Sequence, residues 1–358
     1  MDAVFKQGLR HPINKGGTII ISTSRGLMLP IHQPPIVSWA NQAHHMSIIL
    51  QHPASVEWIY SHYIQLELLQ GFTGDRLINY TFPNAPETVC PWLEVRHIPR
   101  NSITGNIVPW LQERLMEGYY IYLFLNTYHL PSYLAYQDRH YAHDPLIFGF
   151  DSNSHTFAIR DFHTSSQGYL KYETFNVDSN SMERSYNDMS EDNDMLGGIQ
   201  LLRINPNCMY PFDSKLVASS IADYLESKCS YLKTDNWLTS PVSAYGFQIY
   251  PHLSDHMRRV AEGSTSADFR LIHVFHDHKL LMRHRLHFMA HNKRLIPDHL
   301  ASGYDEVLTT SLLARSLALK YYLTQDTMLL HKCEQLLLDL QNKERQALLA
   351  VLDSLAAI

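Results

Sequence analysis

The chain has 358 residues, more than one ordinary core holds, and its 45% hydrophobic and 18% charged content excludes a disordered or fibrous protein. The formal net charge of -6 argues against nucleic acid or an anionic membrane as partner. No run of about 18 apolar residues is present, and the first residues lack the apolar centre of a signal peptide.

In chain order, residues 16–31 read as a β-branched strand, a turn at Arg25-Gly26 and a second short strand, which Pro34-Pro35 stops. Ser38 is the expected N-cap of a helix through Leu50, with Met46, Ile49 and Leu50 facing inward. Residues 54–70 carry Trp58, Ile59, Tyr63, Leu66 and Leu69 and read as a second helix, closed by Gly71. Residues 72–105 read as irregular, apart from a strand at 92–98. An amphipathic helix at 107–117 ends at Gly118 and leads into a strand at 119–125. Beyond a loop at 126–140 and a hairpin come a strand at 169–175, an acidic solvated stretch at 178–195 and a strand at 199–204. From 212 onward the periodicity is helical, over 213–232, 251–262, 268–292, 305–323 and 325–356. The expected architecture is α+β, with a mixed domain at 1–205 followed by a helical domain at 206–358.

The hairpin, 143–161, carries the most chemistry. Residues 146–150 and 156–159 are short apolar runs, and Asp151-Ser152-Asn153-Ser154 between them has turn composition. A turn centred on Ser152 puts His143 directly opposite Asp161, on one face and about 5 Å away at Cβ, whereas a one-residue slip separates them. A carboxylate beside an imidazole fixes its tautomer and stabilises the imidazolium, which is two thirds of a nucleophile–His–Asp triad. The alternative is a hairpin with polar ends and no chemistry.

A helix followed by an antiparallel sheet whose hairpin presents His and Asp is the element order of papain-like cysteine enzymes. More specifically, residues 110–161 resemble the butirosin biosynthesis protein H family. The resemblance lies in the Leu-Gln-Glu-Arg-Leu-x-Glu-Gly-Tyr-Tyr passage, in His143, in Gly149-Phe150-Asp151 and in Asp161; residues 270–294 are similar to that family's C-terminal part. The resemblance implies a papain-like fold for 1–205 and acyl transfer in natural-product (peptide or polyketide antibiotic) biosynthesis. An acyl or aminoacyl group would pass from a carrier-protein thioester to a small-molecule amine, with His143 carrying the proton and Asp161 orienting it. Such enzymes place a nucleophilic cysteine at the start of the first core helix. Here that helix begins Ser38-Trp39-Ala40-Asn41-Gln42-Ala43-His44-His45-Met46 and has none; Asn41 falls near the nucleophile position. Asn41 or Gln42, with the helix N-terminus, is a candidate oxyanion donor beside His143, against the alternative of two polar surface residues. Ser38 reads as a cap before a nucleophile, and Cys90 as an ordinary thiol before a recruited one.

Two further patterns stand out. His273, His276, His284 and His287 line one side of the 268–292 helix, a linear row that suits a polar groove or domain contact better than zinc. Lys279, Arg283, Arg285, Lys293 and Arg294 make a local basic patch, either a solvated face or a docking face for an acidic carrier protein. The tyrosines at 119, 120, 122, 128, 133, 136 and 141 read as core, rim or cleft lining. The four cysteines, Cys90, Cys208, Cys229 and Cys333, show no metal-ligand spacing, so reduced thiols and a cytoplasmic location are expected. No cofactor or metal is expected. The functional expectation is thus a carrier-dependent acyltransferase with its nucleophile unassigned. The alternatives are a non-catalytic carrier- or peptide-binding scaffold of the same fold and, more weakly, a thiol hydrolase using Cys90.

Overall fold

A computed structural model describes residues 21–23, 26–70, 76–164, 170–230 and 242–357. The chain opens with β1 (Ile21–Thr23), β2 (Gly26–Met28), α1 (Ala40–Ile49), α2 (Ser55–Ser61), β3 (Leu66–Gln70) and β4 (Arg76–Tyr80). It continues through α3 (Pro86–Val89), β5 (Leu93–Pro99), α4 (Ile107–Met116), β6 (Tyr120–Leu123), β7 (Leu125–Asn126) and β8 (Ala142–His143). Next come β9 (Leu146–Asp151), β10 (Thr156–Thr164), β11 (Leu170–Asp178), α5 (Ser179–Asn187), β12 (Gly198–Ile204) and α6 (Ser214–Glu226). The chain closes with β13 (Val242–Tyr245), α7 (Ile249–Ala261), α8 (Arg270–His291), α9 (Asp298–Gly303), α10 (Asp305–Thr324) and α11 (Met328–Ala356). The fold is mixed α+β, with antiparallel sheets and a helical C-terminal region.

The main sheet has eight strands, and β9 lies at its centre. One edge of β9 pairs with β10, which pairs with β11. Along the other edge β6 lies beside Leu146 and Ile147, and β2 beside Gly149 to Asp151. β12 and β5 extend the sheet past β6, and β1 past β2. Strand β9, Leu-Ile-Phe-Gly-Phe-Asp, is buried at its first five positions, so the sheet is covered on both faces there. Gly149 is required by the approach of β2: a Cβ would stand 2.6 Å from the Leu27 carbonyl oxygen. A second sheet has the order β13-β3-β4.

Several expectations are corrected. The span 54–70 is a helix and a strand; the chain breaks after α2, Tyr63 takes the left-handed region at φ 47°, and β3 follows. Leu66, Leu68 and Leu69 are buried by pairing with β4 and β13, so partners override the helical propensity of Leu-Glu-Leu-Leu-Gln. Strand β4 lies in a stretch read as irregular. The N-cap of α1 is Trp39, and Ser38 instead donates its hydroxyl to Asp277 Oδ2 at 2.5 Å. The expected cap Gly71, the turn residue Arg25 and the segment 16–20 lie outside the described residues.

Helices follow β12 as expected. The change at 205/206, however, is one of secondary structure inside a shared core, since buried apolar side chains from Leu27 to Val351 form one connected cluster. β13 returns to pair with β3, and α8 packs on β4 and α2. Helix α8 is the spine between the halves. Arg285, fully buried, donates to the carbonyls of Tyr60, His62 and Tyr63, the orphan acceptors at the end of α2. Asp277 accepts from the backbone N–H of Val37 and Ser38 at 3.1 and 3.0 Å and so fixes the entry into α1. Among the described residues no helix is long and apolar enough to cross a membrane.

Candidate active site at His143

His143 and Asp161 meet, by a route other than the assumed register. The turn occupies 152–155, with Thr156 opposite Asp151 and His155 at φ 50°, so it is centred beyond Ser152. A bulge at Phe148 then shifts the pairing by one, from Ala158 opposite Gly149 to Ile159 opposite Ile147. Asp161 is opposite Glu173 on β11, and His143 is opposite Leu125, in the short β7–β8 ladder. Asp144-Pro145 separates β8 from β9, where a residue before proline is held extended and proline donates no ladder bond. That break lets His143 lean back to Asp161.

His143 Nδ1 donates to Asp161 Oδ2 at 2.7 Å. The same oxygen accepts the Tyr133 hydroxyl at 2.6 Å. Asp161 is 0% exposed while the His143 side chain is 24% exposed, so the acid is sealed and the imidazole is open. No hydrogen bond among the described residues occupies His143 Nε2, which is the atom left to face solvent. Asp144 supplies a second carboxyl, with Oδ1 at 3.6 Å from His143 Nδ1 and Oδ2 accepting the Tyr122 hydroxyl at 2.6 Å. The rings of Tyr133 and Tyr141 lie 5.8 and 6.3 Å from that of His143.

The electrostatics follow from this arrangement. Burial pushes His143 down, but the charge and hydrogen bond of Asp161, with Asp144, outweigh it and raise the imidazole to about 9. Burial pushes Asp161 up, and His143 and Tyr133 together bring it below the ordinary carboxylate value. Asp144 is raised, by burial first and by the Asp161 charge against the pull of His143. At neutral pH the site is therefore an imidazolium paired with a carboxylate. It can donate a proton from Nε2 or hydrogen-bond a developing anion there.

None of the other expected site residues hydrogen-bonds to His143 among the described residues. Gln42 is buried and donates Nε2 to Asn79 Oδ1 of β4 at 2.8 Å. Asn41 Oδ1 accepts the Gln42 backbone N–H, and no hydrogen bond among the described residues joins Asn41 to His143. The residue of α1 that reaches the dyad is His44, whose Nε2 is 3.0 Å from the Asp144 carbonyl oxygen. Gln42 and His44 project about 200° apart on a 3.6-residue helix, so Gln42 is turned away from the dyad. Cys90 caps α3 as a buried thiol pushed up to about 12, above all by burial, which makes it a poor nucleophile. Ser38 is committed to Asp277.

Most of the basic patch in and just beyond α8 is paired within the chain, with Arg294 exposed. Lys279 is fully buried against Glu344 at 2.8 Å, Arg285 caps α2, Arg283 pairs with Asp305 and Lys293 with Glu57. In the histidine row, His276 bonds the Ser311 hydroxyl and His287 faces Asp305, while burial lowers His273 and His284 to about 4. Among the described residues no group of three or more His, Cys, Asp or Glu could hold a metal ion. Asp144, His44 and Tyr172 join the site without having been expected there, and Tyr122 and Tyr133, two of the tyrosines read as core, rim or cleft lining, bond its carboxyls. The sequence signals were Asp144 next to His143, two histidines inside an apolar helix and the tyrosines ahead of His143; Tyr172 had none. The chain matches no protein-family model and no curated protein.

Proposed function

We propose that the protein is an acyltransferase similar to the butirosin biosynthesis protein H family, on a papain-like α+β fold. It would pass an acyl group from a carrier-protein thioester to a small-molecule amine, in a cytoplasmic natural-product pathway. The single observation that carries the reading is the 2.7 Å contact between the open imidazole of His143 and the sealed carboxylate of Asp161. The helix α1 ahead of an antiparallel sheet, with His and Asp presented together, supports the fold analogy.

Without a cysteine on α1, the transfer is direct. The free amine attacks the thioester carbonyl, a C–N bond forms and the C–S bond breaks. His143, protonated at Nε2, gives that proton to the departing sulfur, and the imidazole so freed takes the proton that the newly acylated nitrogen loses. An imidazolium near 9 suits this exchange, since amines and thiols titrate in the same range and neither transfer is strongly uphill. The test is aminolysis of an acyl-thioester in the presence of the folded protein. His143→Ala should lower turnover by about 10²–10⁴-fold, the range for one general acid–base group. An unchanged rate in a folded His143→Ala variant overturns catalysis.

A second reading, a non-catalytic carrier- or peptide-binding scaffold, is favoured by one observation: α1 bears no thiol, and Cys90 is buried with its thiol held protonated. Carrier binding with no turnover above background supports it.

A further inference from the structure

His44 stands one helical turn into α1, fully buried, and both ring nitrogens are engaged. Nε2 lies 3.0 Å from the carbonyl oxygen of Asp144, and a carbonyl only accepts, so Nε2 carries the hydrogen. Nδ1 lies 2.8 Å from the Tyr172 hydroxyl, which then donates to it. The Tyr172 ring has the Arg160 guanidinium 5.1 Å above it, and Arg160 is itself held by Gln33. Burial lowers His44 to about 3, so the ring is neutral at neutral pH.

The contact falls on the carbonyl of Asp144, in the Asp144–Pro145 peptide one residue after His143. From the other side, Tyr122 of β6 fixes the Asp144 side chain at 2.6 Å. The link between His143 and β9 is therefore pinned by a helix and a strand, where Pro145 leaves it without a ladder bond.

We infer that His44, in the Nε2–H tautomer, is a positioning residue for His143: by holding the Asp144 carbonyl it sets the imidazole's Nδ1 against Asp161 and turns Nε2 outward. The inference rests on the acyl-transfer reading only for its catalytic meaning. The geometry it asserts is measurable without any substrate. Loss of the N–H donor releases the Asp144–Pro145 peptide beside His143, widens the His143–Asp161 contact and weakens the hold on the imidazolium. A residue that merely filled space would change stability and leave that hold alone.

The experiment is an NMR titration of the His143 ring in the full chain. His44→Phe keeps a ring of similar size without the donor; its His143 midpoint should fall by about one pH unit, a tenfold weaker hold. His44→Gln places an N–H near the position of Nε2 and should restore the wild-type midpoint to within about 0.3. A folded His44→Phe variant with the wild-type midpoint overturns the inference, as does a Gln variant titrating as low as the Phe one. Should His44→Phe not fold, Tyr172→Phe removes only the hydroxyl that orients His44, and an unshifted midpoint there overturns it equally. Absence of thioester aminolysis alongside a shifted midpoint would defeat the acyltransferase reading and leave the positioning role standing.

Discussion

A carboxylate that is sealed and an imidazole that is not make an asymmetric pair. Asp161 gives Oδ2 to both His143 and Tyr133, so its charge is compensated inside the protein, while the Nε2 side of the imidazole is reachable from outside. The asymmetry has a pH signature. A group whose folded value is raised stabilises fully below its unfolded value and loses that contribution as pH rises through the folded one. For His143 the window runs from 6.5 to about 9. Urea unfolding at both ends should show the wild type losing stability across the window and Asp161→Asn losing less, because the neutral amide no longer favours the imidazolium. Parallel losses in the two proteins would contradict the pairing. The contact was legible in the sequence as a histidine and an aspartate flanking a turn. Its register was not, because the bulge at Phe148 and the break at Asp144-Pro145 depend on which strands lie beside β9.

At the level of elements, α8 shows why charge is misread from sequence. Lys279 and Arg285 sit on a helix with other cations and so read as a solvated or docking face. Their partners are remote: Glu344 is 65 positions along the chain, and the carbonyl of Tyr60 is 225 away. Glu344 takes Lys279 together with the hydroxyls of Tyr224, Tyr250 and Tyr304, all inside the core. Burial lowers Lys279 to about 8 against the pull of Glu344, so the pair is retained by its partners and is costly to split. Lys279→Met should destabilise by about 3–5 kcal/mol, because it strands the Glu344 charge. Adding Glu344→Gln removes that charge, keeps an acceptor for the tyrosines and should recover most of the loss. Thermal or urea unfolding of both variants checks this; a double variant as unstable as the single one would contradict it. The long amphipathic helices were readable because periodicity alone defines them. Strand β3 was not, since its five residues favour a helix until β4 and β13 flank them.

Over the whole molecule, one core ties these scales together. Asp277 and Arg285 of α8 fix the entry to α1 and the end of α2; α1 carries His44; His44 holds the carbonyl of Asp144, the residue after His143. The helical half thus supports the site from behind, although among the described residues the hydrogen-bond, ionic and ring partners of His143 come from the first 161. The measurement that bears most directly on this account is the titration of the His143 ring in the wild-type protein, followed by NMR with His143→Gln as the assignment control. The account predicts a midpoint near 9, with Nδ1 protonated throughout. A midpoint at or below 6.5 would contradict it, because an imidazole held by a buried carboxylate cannot lose its proton so readily.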